Sequence, residues 1–287
     1  MSKLKHIAAI GFFDGVHIGH IKVLKTALLC GKRCGGAVDA VTFDHIPKNT
    51  AGMITALDER IALIKSVGIK KTVVLPFAKI KNLSPETFCS GYLKKYDLIV
   101  VGYNFKFGKN RLGTVATLKR YVKKVIVVKP VRFKGITVSS TEIKRCIIAG
   151  DIRRVTKFLG RGYYVKGRVI KGRAAGRLMG YPTANIKVDK NKLLPAGIFA
   201  SLNYIGKKEY KGVTYIGKIP TLGLKNRTFE THLLDFKKTF YGNVLKTKLL
   251  VKLRDDRKFV SMEELKFQIS RDISAANKFF YKRGVPK

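Results

Sequence analysis

The sequence predicts two domains of different class. The first is an α/β domain built on a doubly wound parallel sheet; the second is all-β, a barrel or sandwich, and ends in a long helix. Three observations carry this. Five short apolar runs alternate with helical segments through the first half of the chain. After Gly160 the alternation stops, and short strands follow a turn-rich stretch. One segment of helical period closes the chain. Strands that alternate with helices form βαβ units and a parallel sheet, whereas strands in close succession form a sandwich or barrel.

Taken in order, His6–Gly11, Ala37–Phe43, Lys71–Phe77, Leu98–Tyr103 and Val125–Val128 read as buried strands. Helix is expected over 18–30 and again over 55–67, where Thr55 and Asp58 form a capping-box pattern. Ser84–Pro85–Glu86 marks a further helix start, with Ser at the N-cap and Pro at the first position, where its missing N–H is not needed. Beyond Gly160, strands are expected at 197–205, 212–218, 229–236 and 244–253. Ser261 and Glu264 fit a capping box, and Leu265, Ile269, Ile273 and Ala276 recur at helical spacing behind it. The boundary is placed near 158–164, giving domains of 1–158 and 159–287.

The composition is that of a globular protein with a core, 46% hydrophobic, but its charge is unusual: 59 Lys+Arg against 18 Asp+Glu, or +41. Such a balance favours anionic partners. The cations are spread along the whole chain, with no basic tail, aromatic RNA-binding motif or zinc-finger spacing, which argues against nucleic acid as the partner. No apolar run reaches the ~20 residues of a membrane span. Asp14 interrupts the N-terminal segment too early for a signal peptide. Cys30 and Cys34 stand at helical i,i+4 spacing with no histidine near in sequence, a poor metal site, so the four cysteines read as the reduced thiols of a cytoplasmic protein. The sequence sets no oligomeric state.

Two of the five histidines fall in "GFFDGVHIGH", directly after the first strand and at the start of a helix. Imidazoles at i and i+3 on a helix N-terminus, beside free backbone N–H groups, suit anionic oxygens. They fit a triphosphate whose α-phosphorus is attacked while charge grows on the departing pyrophosphate. That chemistry needs positioning and electrostatics rather than a protein nucleophile. "VSSTEIKRC" offers a second helix start, capped by Ser140 or Thr141, with Lys144 nearby, and "VGYNFKFGKNRLG" a loop in which Asn104 can hydrogen-bond a nucleotide. In the second half, "GYPTAN" places Thr183 and Asn185 on one face of an extended strand, oxygen-bearing side chains suited to Mg²⁺. Glu230 in "FETHLLDF" is a candidate general base.

These motifs, in this order and over nearly the whole chain, resemble those of bacterial bifunctional riboflavin kinase/FAD synthetases. The resemblance implies a nucleotidyltransferase domain followed by a six-stranded β-barrel kinase domain with a terminal helix. It implies that Gly11, Asp14, Gly15, His17, His20, Asn104, Ser140, Thr141 and Lys144 bind the ATP of the adenylyltransferase, His17 and His20 as catalytic residues. In the kinase, it implies that Gly172, Arg177, Thr183, Asn185 and Tyr241 bind ATP, Thr183 and Asn185 hold Mg²⁺, Glu230 is the base, and Arg254, Arg257 and Phe259 touch the flavin. Riboflavin, FMN and ATP are the implied substrates. His232, beside Glu230, is given no role.

The chain departs from the family pattern at Phe12, where Asn is usual, at His45, displaced within "HIP", and at Lys144 in place of Arg, which loses bidentate phosphate contact. "KIPTLG", Lys218–Gly223, stands where the kinase half usually carries R-P-T-F. These leave two rival expectations: a kinase with a weakened or re-targeted adenylyltransferase, and a basic nucleic-acid-binding protein on an enzyme fold.

Overall fold

The computed structural model describes residues 5–45, 52–172, 176, 179–218, 227–236, 238 and 240–284. Arg177, Pro47 and most of the Lys218–Gly223 element lie outside the described residues. The chain divides into two compact units, Met1–Glu142 and Ile143–Lys287.

The first unit runs β1 (His6–Ile10), α1 (Ile18–Cys34), β2 (Ala37–Phe43), α2 (Leu57–Ser66), β3 (Lys71–Leu75), α3 (Phe77–Ile80), α4 (Pro85–Phe88, continued by a π turn at Cys89–Leu93), β4 (Leu98–Gly102), α5 (Val115–Tyr121) and β5 (Lys124–Val128). A small hairpin follows, β6 (Arg132–Phe133) with β7 (Ile136–Thr137), and then α6 (Ser140–Ala149), within which the division between the units falls. The five long strands form a parallel sheet in the order β3-β2-β1-β4-β5. Alternate residues of one strand serve opposite cores: Ala8, Ile10, Ile99 and Val101 on one face, Ile7, Ala9, Leu98 and Val100 on the other. A sheet covered on both sides needs continuous apolar strands, which is why the runs are so plain in the sequence. The order reverses between β1 and β4, and ligands of such sheets bind beyond the carboxyl ends at that switch. "GFFDGVHIGH" follows β1 and "NFKFGKN" follows β4, so both motifs leave the sheet there.

Two expectations in this unit are corrected. Helix α2 is N-capped by Ala56 without a side-chain bond, not by Thr55. The Thr55 hydroxyl is engaged elsewhere, accepting the Gly15 N–H at 3.0 Å. Strand β3 ends at Leu75, where Pro76 caps a short helix that takes up Phe77.

The second unit continues with α7 (Ile152–Leu159), β8 (Tyr163–Ile170), β9 (Ala184–Val188), β10 (Gly197–Ile205), β11 (Lys208–Lys218), β12 (Arg227–Leu233), β13 (Val244–Arg254) and α8 (Met262–Lys282). The six strands close into an antiparallel barrel in the order β10-β11-β12-β9-β8-β13. Helix α7, with Val155, Phe158 and Leu159 buried, packs on β8 and β13, so it groups with the barrel and the division between the compact units falls between Glu142 and Ile143. The barrel interior carries a polar chain among its apolar side chains: Ser201, Asn203, Thr214, Thr231 and Thr247 have no solvent exposure. Ser201 Oγ and Thr214 Oγ1 are 2.8 Å apart, Thr214 and Thr231 hydroxyls 3.0 Å, and Thr247 Oγ1 donates to Asn203 Oδ1 at 2.8 Å. Each buried hydroxyl thus has a partner, the condition for keeping polar groups in a core.

Two candidate active sites

The turn after β1 is a strained loop fastened at several points. Phe13 (φ 55°) and Val16 (φ 37°) lie in the left-handed region, which a β-branched residue enters only when its surroundings force it. Asp14, 2% exposed, supplies the force. Its Oδ1 accepts the N–H groups of Ile54 (2.9 Å) and Thr55 (3.1 Å), and its own carbonyl accepts the Ser140 hydroxyl at 3.0 Å. Asp14, grouped with the nucleotide residues by the resemblance, therefore ties the loop to the segment before α2 and to the start of α6. Arg60, fully buried on α2, adds a third tie: it donates to the carbonyls of Phe12 and Phe43, both at 2.8 Å, and lies 4.3 Å over the Phe12 ring. Burial pushes the Arg60 guanidinium below its usual pKa, while Asp14 and Asp44 oppose that shift. Phe12, the departure from the family pattern, is thus accommodated by a cation beneath its ring. Sequence reasoning missed Arg60; its signal was an arginine among apolar residues on the inner side of a helix.

His17 is the N-cap of α1, its Nδ1 accepting the His20 N–H at 3.3 Å. In its neutral form the proton therefore sits on Nε2. The two imidazoles stack with centroids 3.6 Å apart, and the Phe13 ring meets His20 edge-on at 5.3 Å. Gly19 permits this arrangement, since a Cβ there would come within 3.1 Å of the His17 ring and 3.7 Å of the Val138 carbonyl. The start of α6 thus lies beside the histidine turn. Its cap is Ser139, which accepts the Glu142 N–H at 3.2 Å, and not Ser140 or Thr141. Ser140 is the hydroxyl bound to the Asp14 carbonyl, Thr141 is exposed, and Lys144 follows one turn along the helix. Gly11 joins the sheet through its N–H to the Val41 carbonyl, and exposed Asn104 stands in the loop after β4. His45 is held locally: its Nδ1 meets Asp44 Oδ1 at 2.8 Å, and its ring packs on Phe77.

On the barrel, residues 229, 231 and 233 of β12 point inward, and 228, 230 and 232 outward. Asn185, Glu230 and Tyr215 occupy one cross-strand row of the outer face on β9, β12 and β11. The Thr183 hydroxyl donates to Glu230 Oε2 at 3.1 Å. Gly172 lies against this row, where a Cβ on it would overlap the Asn185 amide, and a Cβ on Gly176 would overlap the Tyr181 carbonyl. Tyr241 is exposed in the turn before β13, where Gly242 bonds the Val169 carbonyl. The structure therefore brings Gly172, Thr183, Asn185 and Glu230 together.

Arg254 and Arg257 are held by α8. Arg254 grips Asp272 with two bonds of 2.8 and 2.7 Å, and Arg257 donates to Gln268 Oε1 at 3.1 Å. Both guanidinium groups lie over Phe259, at 5.7 and 4.9 Å. The Tyr215 hydroxyl donates to Asp256 at 3.0 Å. Burial, Asp256 and Glu230 together push that phenol up to about 12. Tyr215, Asp256, Gln268 and Asp272 carried no sequence signal of their own, because no spacing pairs residues that come together only through barrel closure. Among the described residues no cluster of three or more His, Cys, Asp or Glu is arranged to hold a metal ion, and no helix is long and apolar enough to cross a membrane.

The fold defines the class, a two-domain transferase that joins a nucleotidyltransferase-type α/β unit to a kinase-type barrel. The sequence model of the FAD synthetase family matches residues 1–142, and that of riboflavin kinase matches 159–280. The bifunctional riboflavin kinase/FMN adenylyltransferase of Buchnera aphidicola subsp. Acyrthosiphon pisum is 35% identical over 96% of this chain and 93% of its own length. That of Bacillus subtilis is 31% identical over 96% and 93%. The trifunctional protein RibF/MnmA of Mycoplasmoides gallisepticum is 35% identical, and the chain spans 40% of its length. A crystal structure described as a macrolide-efflux protein from Streptococcus pneumoniae superposes with a TM-score of 0.85 at 27% identity, covering 96% of this chain and 95% of that one. The chain belongs to the bifunctional riboflavin kinase/FMN adenylyltransferase family.

Proposed function

We propose that the barrel phosphorylates riboflavin to FMN with ATP, and that the α/β unit then transfers AMP from a second ATP to FMN, giving FAD and pyrophosphate. Family membership supports both activities. The observation that carries the division of labour is the pairing of Glu230 with Thr183 and Asn185 on one barrel face, while the imidazole pair and the Ser140 hydroxyl stand around a loop of the other unit.

In the kinase reaction Glu230 accepts the proton of the flavin 5′-hydroxyl as its oxygen attacks the γ-phosphorus and ADP leaves. The neutral oxygens of Thr183 and Asn185 fit Mg²⁺, which binds few protein ligands and many phosphate oxygens. When bound, Mg²⁺ would neutralise phosphate charge. Gly172, with no Cβ, leaves room for the nucleotide beside Asn185, and Arg254, Arg257 and Phe259 form the flavin side. In the adenylyltransferase an FMN phosphate oxygen attacks the α-phosphorus, and the bond to pyrophosphate breaks. His17 Nε2–H, His20 and the N–H groups at the start of α1 stabilise the growing negative charge, with Ser140, Thr141 and Lys144 at the start of α6 and Asn104 beside the nucleotide. Riboflavin, FMN and ATP are the partners in this reading, nucleic acid is not, and the setting is cytoplasmic.

Purified protein given riboflavin, ATP and Mg²⁺ is expected to yield FMN and then FAD on a chromatogram; neither product forming overturns the reading. E230A should stop FMN formation yet leave FAD synthesis from supplied FMN, and H20A should do the reverse. Equal loss of both activities in either variant refutes two separate centres.

A further inference from the structure

Glu230 and His232 stand two residues apart on β12 and so share its outer face. Both reach the short segment that leads into β9. Thr183 donates to Glu230 Oε2 at 3.1 Å. His232 Nδ1 lies 2.8 Å from the Pro182 carbonyl, and since a carbonyl only accepts, the imidazole is the donor. Its ring also meets Tyr181 edge-on at 5.9 Å.

The backbone explains why a side chain is needed here. The ladder between β12 and β9 holds at Glu230–Asn185 and Thr231–Ala184, and β9 begins at Ala184. Two residues further out comes Pro182, which has no N–H to extend a ladder. The segment 181–183 therefore relies on side chains to stay beside β12. It also holds Gly176, since Tyr181 N–H donates to the Gly176 carbonyl at 2.8 Å.

We propose that His232 is a positioning residue of the kinase site: its Nδ1–H anchors the Pro182 carbonyl and thereby sets the Thr183 hydroxyl where MgATP binds. This rests on the kinase reading above. His232 touches neither the reacting atoms nor the flavin side, so its effect falls on nucleotide binding rather than on riboflavin.

The test uses the full chain and three variants. H232F keeps a ring but loses the donor, and H232A removes both. H232N offers an amide N–H close to where Nδ1 stands. Kinase kcat and the KM values for MgATP and riboflavin are measured, with FAD synthesis from supplied FMN as an internal control in the same molecule. H232F and H232A are expected to raise the KM for MgATP about tenfold, the scale of one neutral hydrogen bond, with the KM for riboflavin within about twofold and FAD synthesis unchanged. H232N is expected to recover most of the loss. A KM for MgATP that stays at the wild-type value in a folded H232F or H232A overturns the proposal, as does H232N behaving no better than H232F. If H232F fails to fold, H232A decides, because a half-buried outer-face position tolerates truncation. Failure of the wild-type chain to make FMN would instead count against the kinase reading itself.

Discussion

Replacing Gly172 by alanine should separate catalysis from stability in the barrel. Gly172 does not sit in the left-handed region, so its backbone accepts an alanine without strain. The cost is a collision: the added methyl falls inside contact distance of the Asn185 side-chain amide. That amide is the end of a rotatable side chain at a half-buried position, so it can yield without breaking the β9 ladder. The fold should therefore lose less than about 1 kcal/mol, the range of a small surface change. The amide itself must retreat by on the order of 1 Å, and a misplacement of that size at a positioned group costs about 10²-fold in rate. The assay is FMN formation from riboflavin in G172A, followed by chromatography, with FAD formation from supplied FMN and thermal melting in parallel. The expected result is a kinase rate down by about two orders of magnitude, with the adenylyltransferase rate and melting temperature close to wild type. A kinase rate within about twofold of wild type would refute the reasoning, because it would mean the place of the Asn185 amide does not matter.

In the α/β unit, D14A strips the acceptor from the Ile54 and Thr55 N–H groups. It should lower stability by about 1–3 kcal/mol in denaturant titration and abolish FAD synthesis while FMN formation persists; D14N, which keeps an acceptor oxygen, should cost less. Asp97 is held at about 2 by its hydrogen bond to Lys123 and by the N–H groups of Lys5 and His6. A carboxylate with a depressed folded-state pKa contributes stability above its ordinary value of 3.8 and loses it as pH falls toward 2. The melting-temperature gap between wild type and D97N should therefore be full at pH 6 and close between pH 4 and 2; a constant gap would exclude this role. On the barrel, D272A leaves the Arg254 guanidinium without its bidentate partner and should destabilise the unit by about 3 kcal/mol. The double variant R254M/D272L should be less harmful than D272A, since apolar packing can replace a buried pair but not half of one.

The contrast between what the sequence disclosed and what it concealed follows from which interactions are local. The parallel sheet was legible because burial on both faces writes itself as runs such as Leu98–Gly102. The helix starts at Ser84 and Ser261 were legible because a cap bonds an N–H three residues away, and both do so, to Thr87 and Glu264. Even there the reciprocal half of one box went elsewhere: Glu264 reaches back to Val260, one residue before the cap. Strands β8 and β9 were hidden in a turn-rich stretch. Gly167 looks like a turn residue, yet it is a glycine inside a strand, needed because the Lys187 carbonyl of β9 crosses where a Cβ would stand.

The same ambiguity runs through the candidate sites. Thr55 and Ser140 both read as caps, and both instead serve the Asp14 loop, a partner 40 or 126 residues distant that no spacing rule reveals. Arg254 and Arg257 read as ligand groups, and α8 supplies the carboxylate and amide partners that hold them, a contact no spacing reveals. A motif thus marks where polar side chains gather, but whether a given member meets substrate or holds its neighbours is decided by closure of the fold. In this chain the holding residues, Asp14, Arg60, Asp272 and His232, are the ones that lie outside the motifs or look interchangeable within them. Their substitution should therefore change one activity at a time, because each acts within a single unit.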